Sequence, residues 1–422
     1  MVPYCGNRWN SDLCVTFHST ETALLKLQSD LLCAADAGLV SALCILDLTA
    51  AFDTVDHELL LHWLERQFGL CVLECFRSYL SGRSFRVITC SLDTSSTVYI
   101  VCSVPQGSVL GPHLFILYTA DMKDVVDRHY VLSHAFADDT QLYLHCLCSD
   151  MAFATTRLEL CISDVAEWTS ANRLHLNTDK TELLWTGSKN SRQFIGSRSP
   201  PLQLGVDTVI AQDEFRLLGV PLSSDLSLDR HISNVCASCY HRMRQLRPAR
   251  RSLDANSLAT LVHAFVISRV DYCNSLLAAV PKYTTDKLQH VLVAAARVIT
   301  STRKYDRGLS RLLHEELHWL DVPERILFKL CVFIHQCLNN NVLRYLMDTC
   351  SSVATVPDRQ CLRSAGRNYP VVPRHWLATY GRRTFVIAGP SAWNDLPDEL
   401  RDISLSRTVF RSRLKTYFFS YY

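Results

Sequence analysis

The chain has 422 residues, 48% of them hydrophobic, and a net charge of +2, so it can form two or three domains. This composition excludes bulk disorder, and the charge excludes nucleic-acid binding by overall positive charge alone. The start lacks the apolar core of a signal peptide, and no apolar run reaches the length of a membrane span. The sequence therefore predicts an intracellular protein of the nucleus or cytoplasm, without a membrane partner.

Most of the 18 cysteines lie within apolar runs, where cysteine behaves as a small hydrophobic residue. A reducing compartment is therefore expected. Cys236 and Cys239 have the spacing of zinc ligands, but no second Cys or His pair follows them. We interpret them as a structural pair on a helix.

The first half of the chain alternates predicted helices and strands. In chain order, the pattern first predicts a helix from Ser19 to about Cys33, a buried strand at 39–48, a helix capped by Asp53 or Asp56, and a helix at 72–80. Hairpin strands at 85–90 and 98–104 follow, and then a loop at 105–112 that leads into a helix with Pro112 in its first turn. The last predicted elements of this half are a hairpin around 138–139, a helix at 150–172 and a strand at 180–185. This order indicates antiparallel strands with helices packed on one face, which is an α+β layer.

The second half is predicted to be mainly helical. A surface loop at 187–201 and a short hairpin around 215–220 precede helices at 230–247, 254–279, 284–300 and 322–338, and irregular structure from about 350. We predict four segments: a leading piece at 1–38, the α+β layer at 39–222, a helical domain at 223–340 and an irregular or helical extension at 341–422.

Three aspartates are the candidates for chemistry. Asp47 ends a predicted strand, and Asp138 and Asp139 interrupt a second apolar stretch. Buried carboxylates are costly unless a cation neutralises them, and their oxygens suit Mg²⁺ or Mn²⁺. If these strands meet, the carboxylates can hold two divalent ions about 4 Å apart for phosphoryl transfer. An adjacent aspartate pair by itself is more often a turn or a helix cap.

Charge is unevenly distributed along the chain. Residues 41–140 contain twelve acidic and six basic residues, whereas residues 241–251 contain five arginines and no acid. These arginines are Arg242, Arg244, Arg247, Arg250 and Arg251. An acidic centre followed by a basic helix suits a metal site beside a phosphate-binding surface. A solvated helix face is the alternative interpretation of the arginines.

Three stretches in order resemble the core motifs of reverse transcriptases: D-L-T-A-A-F-D at 47–53, V-P-Q-G-S-V-L-G-P at 104–112 and F-A-D-D at 136–139. They are most similar to those of non-LTR (LINE-type) retrotransposons of the Jockey or CR1 kind. N-x-x-K-T-E at 177–182 and the stretch at 388–418 are similar as well. The resemblance implies an RNA-directed DNA polymerase with a right-hand palm and a helical thumb-like domain. Its implied partners are an RNA template, a DNA primer or target, dNTPs and two ions of Mg²⁺ or Mn²⁺.

The resemblance also implies a role for each matching residue. Asp47, Asp138 and Asp139 match the metal ligands, and Lys180 matches a lysine proposed to give a proton to pyrophosphate. A surface lysine is the alternative for Lys180.

Further matches concern the bound nucleotide and primer. Phe52 matches the aromatic residue beneath the sugar, with an ordinary core phenylalanine as an equal alternative. Gln106 and Gly107 match the loop that touches nucleotide and template, and Leu218 and Gly219 lie in a stretch that resembles the primer grip.

Only 46 residues precede Asp47, and the first dozen do not resemble the basic fingers region of the family. The resemblance therefore implies a chain truncated at its N-terminus, with most of the fingers missing and weak activity. Two hypotheses stay open: a polymerase, and an inactive remnant that only binds nucleic acid. A different phosphoryl-transfer enzyme is disfavoured by the glutamine-glycine loop between the acidic stretches. The oligomeric state is left open.

Overall fold

A computed structural model describes residues 19–422, apart from 69, 91–93, 106, 196–198, 304–307, 343, 352 and 354–368. In chain order its helices are α1 (Thr20–Asp36), α2 (His57–Phe68), α3 (Leu70–Leu80), α4 (Leu110–Thr119), α5 (Met122–Asp127), α6 (Met151–Ala171), α7 (Lys189–Ile195), α8 (Asp229–Ala249), α9 (Ala255–Val262), α10 (Ser268–Asp271), α11 (Lys282–Thr300), α12 (Leu309–Arg311), α13 (Val322–Leu338), α14 (Arg344–Met347), α15 (Phe385–Asn394) and α16 (Arg407–Phe419). Its strands are β1 (Val40–Leu48), β2 (Ser84–Phe85), β3 (Val98–Tyr99), β4 (Leu132–Phe136), β5 (Asp139–Cys146), β6 (Leu176–Thr186), β7 (Leu202–Leu204), β8 (Asp207–Val209), β9 (Ala211–Gln212), β10 (Glu214–Leu217) and β11 (Val220–Ser223). None of the helices in this described part is long and apolar enough to cross a membrane.

The chain divides into two compact units. Among the described residues, the first contains 40–185 and 194–212, and the second contains 19–39, 186–193 and 213–422. The segment boundaries at 38, 222 and 340 stay predictions. Residue 106 and residues 1–18 of the leading piece lie outside the described residues.

The first unit is built on a five-stranded sheet with the strand order β4-β5-β1-β6-β9. Strands β4, β5 and β1 pair antiparallel, as predicted, whereas the short edge strand β9 pairs parallel with β6. The antiparallel prediction is therefore wrong at this edge. Parallel neighbours need a long crossover connection, and 24 residues separate the end of β6 from the start of β9.

One face of this sheet carries the main core of the first unit. Alternate side chains of β1, from Val40 to Leu46, pack with α5 and α6, and Leu158 and Trp185 lie at the centre of the cluster. Because successive side chains of a strand point to opposite faces, Asp47 belongs to the other face. The prediction of helices against one face of the sheet is confirmed for α5 and α6.

Local signals explain where the helices begin. Ser19 caps α1 in a reciprocal capping box with Thr22, and the backbone N–H of Leu59 donates to Asp56 Oδ1 over 2.9 Å at the start of α2. Of the two caps predicted for α2, Asp56 is therefore the one that the structure has.

The second unit is mainly helical and includes α1. Helix α13 packs against α15 and α16, and α11 packs against α8. Two bonds tie α1 to the far end of the chain: Phe385 N–H donates to Ser29 Oγ over 3.2 Å, and Leu377 N–H donates to Asp36 Oδ1 over 2.6 Å. The fully buried Trp393 lies 5.6 Å from Phe410 between ring centroids, which fixes α15 against α16.

The structure differs from the sequence prediction in four places. The hairpin predicted at 85–90 and 98–104 pairs only over β2 and β3. The predicted surface loop at 187–201 contains the short helix α7, and the predicted irregular C-terminal region contains α15 and α16. The helix predicted at 254–279 is divided, because α9 passes into a π-helical turn at His263–Ile267 before α10.

Candidate active site

Two of the predicted aspartates lie opposite each other in the sheet. The register of β1 and β5 pairs Ile45 with Gln141 and Leu46 with Thr140, so the next pair in the same register is Asp47 and Asp139. Opposite residues of an antiparallel pair have Cβ atoms about 4.5–5.5 Å apart and share one face. The two sequence-distant carboxylates are therefore brought together at the end of β1.

Asp138 lies in the tight turn beside this pair. Phe136 pairs with Asp139 across the hairpin, which leaves a loop of only two residues, Ala137 and Asp138. Ala137 has a φ of 57°, a left-handed conformation that costs energy for a residue other than glycine. Strain of this kind is typical of functional turns, and here it sets the direction of the backbone at Asp138.

The three carboxylates influence one another electrostatically. Burial, followed by the negative charges of Asp138 and Asp47, raises the pKa of Asp139. All three side chains are half-buried. The cluster therefore favours a compensating cation.

The donors suit a hard divalent ion, since all are carboxylate oxygens. Among the described residues, however, no group of three or more Asp, Glu, His or Cys side chains is arranged closely enough to hold a metal. The chemistry of the site fits the ion, whereas the side-chain positions would have to adjust to it.

A lysine and an asparagine contact Asp47 from β6. Lys180 Nζ lies 3.1 Å from Asp47 Oδ2, and Asn177 Nδ2 donates to the same oxygen over 3.4 Å. Asn177 Oδ1 also accepts from the backbone N–H of Lys180 over 3.3 Å, which fixes the start of β6. Lys180 is thus part of the site, and Asn177 is a contact to which the sequence analysis gave no role.

Phe52 lies between the core and the site. Its ring centroid is 4.7 Å from that of Phe115, and its side chain stays partly exposed. Its carbonyl accepts from Val104 N–H over 2.9 Å, which joins the first motif to the loop that contains Gly107. Phe52 therefore packs against the core with one part of its side chain and is accessible with another, and its place beneath a sugar stays a prediction.

The loop after Val104 is held by a short polar bridge. Ser108 Oγ donates to Pro105 O over 2.7 Å and accepts from Gly111 N–H over 2.9 Å. A Cβ added to Gly111 would lie 2.7 Å from Pro105 O, so only glycine fits there without displacing the loop. Gly107 has a φ of 77°, which glycine adopts at little cost.

Comparison with known proteins identifies the family of the region that contains this site. Residues 14–222 match the family described as reverse transcriptase (RNA-dependent DNA polymerase). The chain carries a reverse transcriptase domain.

Its relatives come from mobile elements. The domain and the sequence after it are 27% identical over 320 residues to the probable RNA-directed DNA polymerase from transposon BS of Drosophila melanogaster, a match that covers 73% of this chain and 34% of that protein. The RNA-directed DNA polymerase from mobile element jockey of the same organism is 30% identical over 197 residues, which covers 45% of this chain and 20% of the relative. The chain spans about a third or less of the length of these relatives. The reverse transcriptase domain is therefore of the non-LTR retrotransposon type.

A solved structure gives a weaker similarity. Apo telomerase from Candida tropicalis has a TM-score of 0.38 and 12% identity, covering 73% of this chain and 50% of that chain.

The predicted primer-grip stretch of the reverse transcriptase domain is a turn of the second unit. Leu217 pairs with Val220, which leaves Leu218 and Gly219 as the loop, with φ values of 44° and 83°. Tyr272 donates its hydroxyl to Leu218 O over 2.6 Å. The tyrosine therefore supports the turn from outside the hairpin.

Three of the five predicted arginines line one cavity. Arg247, Arg250 and Arg251 line a cavity of about 910 Å³ together with Arg297 of α11. We call this space the arginine cavity. None of the described residues that line it is acidic. Arg297 was missed by the sequence analysis because it lies alone among apolar residues.

The remaining two predicted arginines are not among the residues that line this cavity. Arg242 lies over the ring of Phe265, with Cζ 6.0 Å from the centroid, and donates to Gln245 Oε1 over 3.1 Å. Arg244 is exposed on α8.

Proposed function

We propose that the chain is an RNA-directed DNA polymerase that transfers a nucleotide from a dNTP to the 3′-hydroxyl of a primer on an RNA template. The observation that carries this proposal is the cross-strand pair Asp47 and Asp139, with Asp138 in the adjoining turn. Nucleotidyl transfer needs little covalent chemistry from a protein, and depends on positioning and on neutralised charge. A carboxylate cluster at one end of a rigid sheet meets the first requirement and recruits cations for the second.

Asp47, Asp138 and Asp139 would hold Mg²⁺ or Mn²⁺, in the two-ion arrangement that phosphoryl transfer favours. Such ions would supply Lewis acidity toward the phosphate oxygens and the primer hydroxyl. Half-burial of the carboxylates excludes part of the water that would otherwise weaken their attraction for a cation.

The neighbouring residues would bind and orient the substrates. Phe52, supported by Phe115, would lie under the sugar of the dNTP, and Gln106 and Gly107 would approach the base pair between nucleotide and template. Lys180 would give its proton to the leaving pyrophosphate, since it is mobile enough to leave Asp47: its side chain is 68% exposed.

Two further regions would hold the nucleic acid. Leu218 and Gly219 would present their backbone to the primer, and the arginine cavity would contact phosphates of the template or primer without reading sequence. With RNA and DNA as partners, we expect the protein to act in the nucleus or cytoplasm.

Primer extension on an RNA template tests the proposal, with dNTPs and either Mg²⁺ or Mn²⁺. Asp139→Asn should reduce extension at least about 100-fold, because it removes a charged ligand from the centre of the site. Asp150→Asn is the matched control, since Asp150 precedes α6 and lies beyond the opposite end of β5. Equal extension by Asp139→Asn and the control would refute the assignment.

The same assay separates the polymerase from the second possibility, a chain that only binds nucleic acid. Binding of a template–primer by the unaltered chain without any extension, in both metals, would favour that second possibility.

A further inference from the structure

The second unit contains a cavity of about 550 Å³ lined by residues of α1, α13 and α16 and by the segments around 263–274 and 318–320. We call it the α16 cavity. Three of its lining residues, Arg407, Arg411 and Lys415, are exposed and follow one another at intervals of four along α16. Residues four apart lie above one another on a helix, so they form a continuous basic stripe at the cavity's edge.

The acidic groups of this cavity are already neutralised. Arg325 Nη1 lies 2.9 Å from Asp271 Oδ2, and Lys329 Nζ lies 2.8 Å from Glu21 Oε2. Glu21 also accepts a hydrogen bond at Oε1 from Ser275 N–H, over 3.0 Å. These two ion pairs contribute no net charge, so they do not compensate the positive charges of Arg411 and Lys415.

Two residues of the stripe, Arg411 and Lys415, are available for a ligand. No ion pair among the described residues involves Arg411 or Lys415, and Lys415 Nζ contacts only the ring of Phe419, 5.5 Å from its centroid. The stripe is separated along the chain from the five arginines of residues 241–251, and it belongs to the C-terminal region, to which the sequence analysis assigned no role.

The walls of the cavity are aromatic and apolar. Phe328 and Phe333 are half-buried, and the buried Trp319, Leu320 and Val332 complete the apolar lining. The volume lies within the range of about 300–1,000 Å³ that is typical of small-ligand sites. Aromatic side chains beside a basic track are the two elements with which proteins bind single-stranded nucleic acid, by stacking bases and attracting phosphates.

We propose that the α16 cavity binds one nucleotide of a single-stranded nucleic acid, with its base against Phe328 and Phe333 and its flanking phosphates on Arg411 and Lys415. Asn274, Gln336 and His263 also line the cavity and offer polar partners for the edge of the base. An acidic peptide would satisfy the basic stripe but leave the aromatic wall unused. This function goes beyond nucleotidyl transfer, since the aspartate cluster takes no part in it.

Binding of a fluorescently labelled single-stranded RNA of about 20 nucleotides tests the proposal. The measurement uses the full chain with Asp139→Asn, so that its outcome is independent of catalysis. Adding Arg411→Ala and Lys415→Ala should weaken binding about five- to tenfold. It should also lower the slope of log K against log salt by roughly 1.4, since each single-strand phosphate contact contributes about 0.7.

The matched control is Arg413→Ala, which removes an exposed arginine of α16 that does not line the cavity. It should change neither the affinity nor the slope by more than a small amount. If the double substitution at 411 and 415 behaves like this control, the proposal is overturned.

Competition identifies the source of the phosphate and the class of ligand. Unlabelled RNA should displace the labelled RNA efficiently, a mononucleotide only weakly, and polyglutamate not at all. A mononucleotide that competes as well as RNA would overturn binding of a chain nucleotide, and efficient displacement by polyglutamate would overturn the nucleic-acid assignment. RNA containing 4-thiouridine should crosslink to residues 328–333, and loss of that crosslink in Arg411→Ala/Lys415→Ala separates this site from the arginine cavity.

Discussion

Lys180 neutralises Asp47 across neighbouring strands, with Nζ 3.1 Å from Oδ2. The ammonium group therefore competes with a divalent ion for the negative charge of this carboxylate. We expect Lys180 to be freer to serve the reaction when a metal is bound to Asp47.

Lys180→Gln should accordingly strengthen metal binding and weaken the reaction. An ion pair with an exposed lysine contributes about 0.2–1 kcal/mol, so Mn²⁺ affinity should rise by about 1.5- to 5-fold, while primer extension falls. Titration of Mn²⁺ by electron paramagnetic resonance measures the affinity. Lys123→Gln is the control, because Lys123 pairs with Asp127 on α5. Weaker Mn²⁺ binding in Lys180→Gln would contradict the competition.

Gly111→Ala should disturb the loop that contains Gly107 more than it disturbs the fold. The added methyl group meets Pro105 O at 2.7 Å, and a backbone atom cannot move aside as a flexible side chain can. We expect KM for dNTPs to rise at least several-fold while the melting temperature falls by only a few degrees. Pro112→Ala, at an exposed neighbouring position, should leave both unchanged. An unaltered KM in Gly111→Ala would show that the loop does not touch the nucleotide.

The arginine cavity should bind phosphates through Arg250, Arg251 and Arg297. Replacing all three with glutamine should weaken template–primer binding and reduce the slope of log K against log salt, by about 0.9 for each lost contact with a duplex phosphate. Arg244→Gln, which removes an exposed arginine of α8 outside the cavity lining, should have a smaller effect. Equal slopes in the two variants would instead favour a solvated helix face.

His231 should make the second unit sensitive to acid. Burial, and then the positive charge of Arg216, lowers its pKa to about 4 in the folded chain, from about 6.5 in the unfolded chain. The unfolded state therefore binds the proton first. Stability is complete above pH 6.5 and is lost as the pH falls towards 4, by about 2 kcal/mol at pH 5.

Urea denaturation at pH 7 and pH 5 measures this loss. His231→Gln should reduce the difference between the two pH values, whereas His241→Gln, at an exposed position of α8, should not. An identical pH dependence in His231→Gln would mean that other groups cause the acid sensitivity.

The sequence predicted elements best where local pattern and packing agree. The predicted strand at 39–48 and helix at 322–338 match β1 and α13 within a residue. The short unbroken apolar run is typical of a buried strand, and the 3.6-residue period of apolar residues is typical of a helix. Predicted strands at 85–90 and 98–104 were too long. Two of their apolar residues, Ile88 and Val101, are 67% and 80% exposed. Strand propensity mostly reflects the packing of side chains, and without such packing these residues do not extend the strands.

The sequence predicted an irregular or helical extension at 341–422 but did not locate its helices, for the opposite reason. Pro390 lies inside α15, and a proline there argues locally against a helix. Tertiary packing of Trp393 and Phe385, both almost completely buried, outweighs that local cost.

The site was predictable in its residues but not in its geometry. Strand-ending aspartates indicated Asp47, Asp138 and Asp139, whereas the register that sets Asp47 opposite Asp139 depends on all the pairs between β1 and β5. The contact of Lys180 with Asp47 depends on the position of β6 beside β1. No local signal in the sequence specifies either relationship.

The bonds from α1 to residues 377 and 385 have a consequence for synthesis on the ribosome. Ser29 and Asp36 of helix α1 receive these partners only after roughly 350 further residues have been translated. At about 5–20 residues per second, the nascent α1 waits from about 20 seconds to more than a minute. During that time its leucine-rich face, destined for the core of the second unit, has to be shielded by a chaperone or by transient contacts. The second unit can therefore complete its fold only after residue 385 has been translated, while residues 40–185 and 194–212 of the first unit can complete theirs earlier.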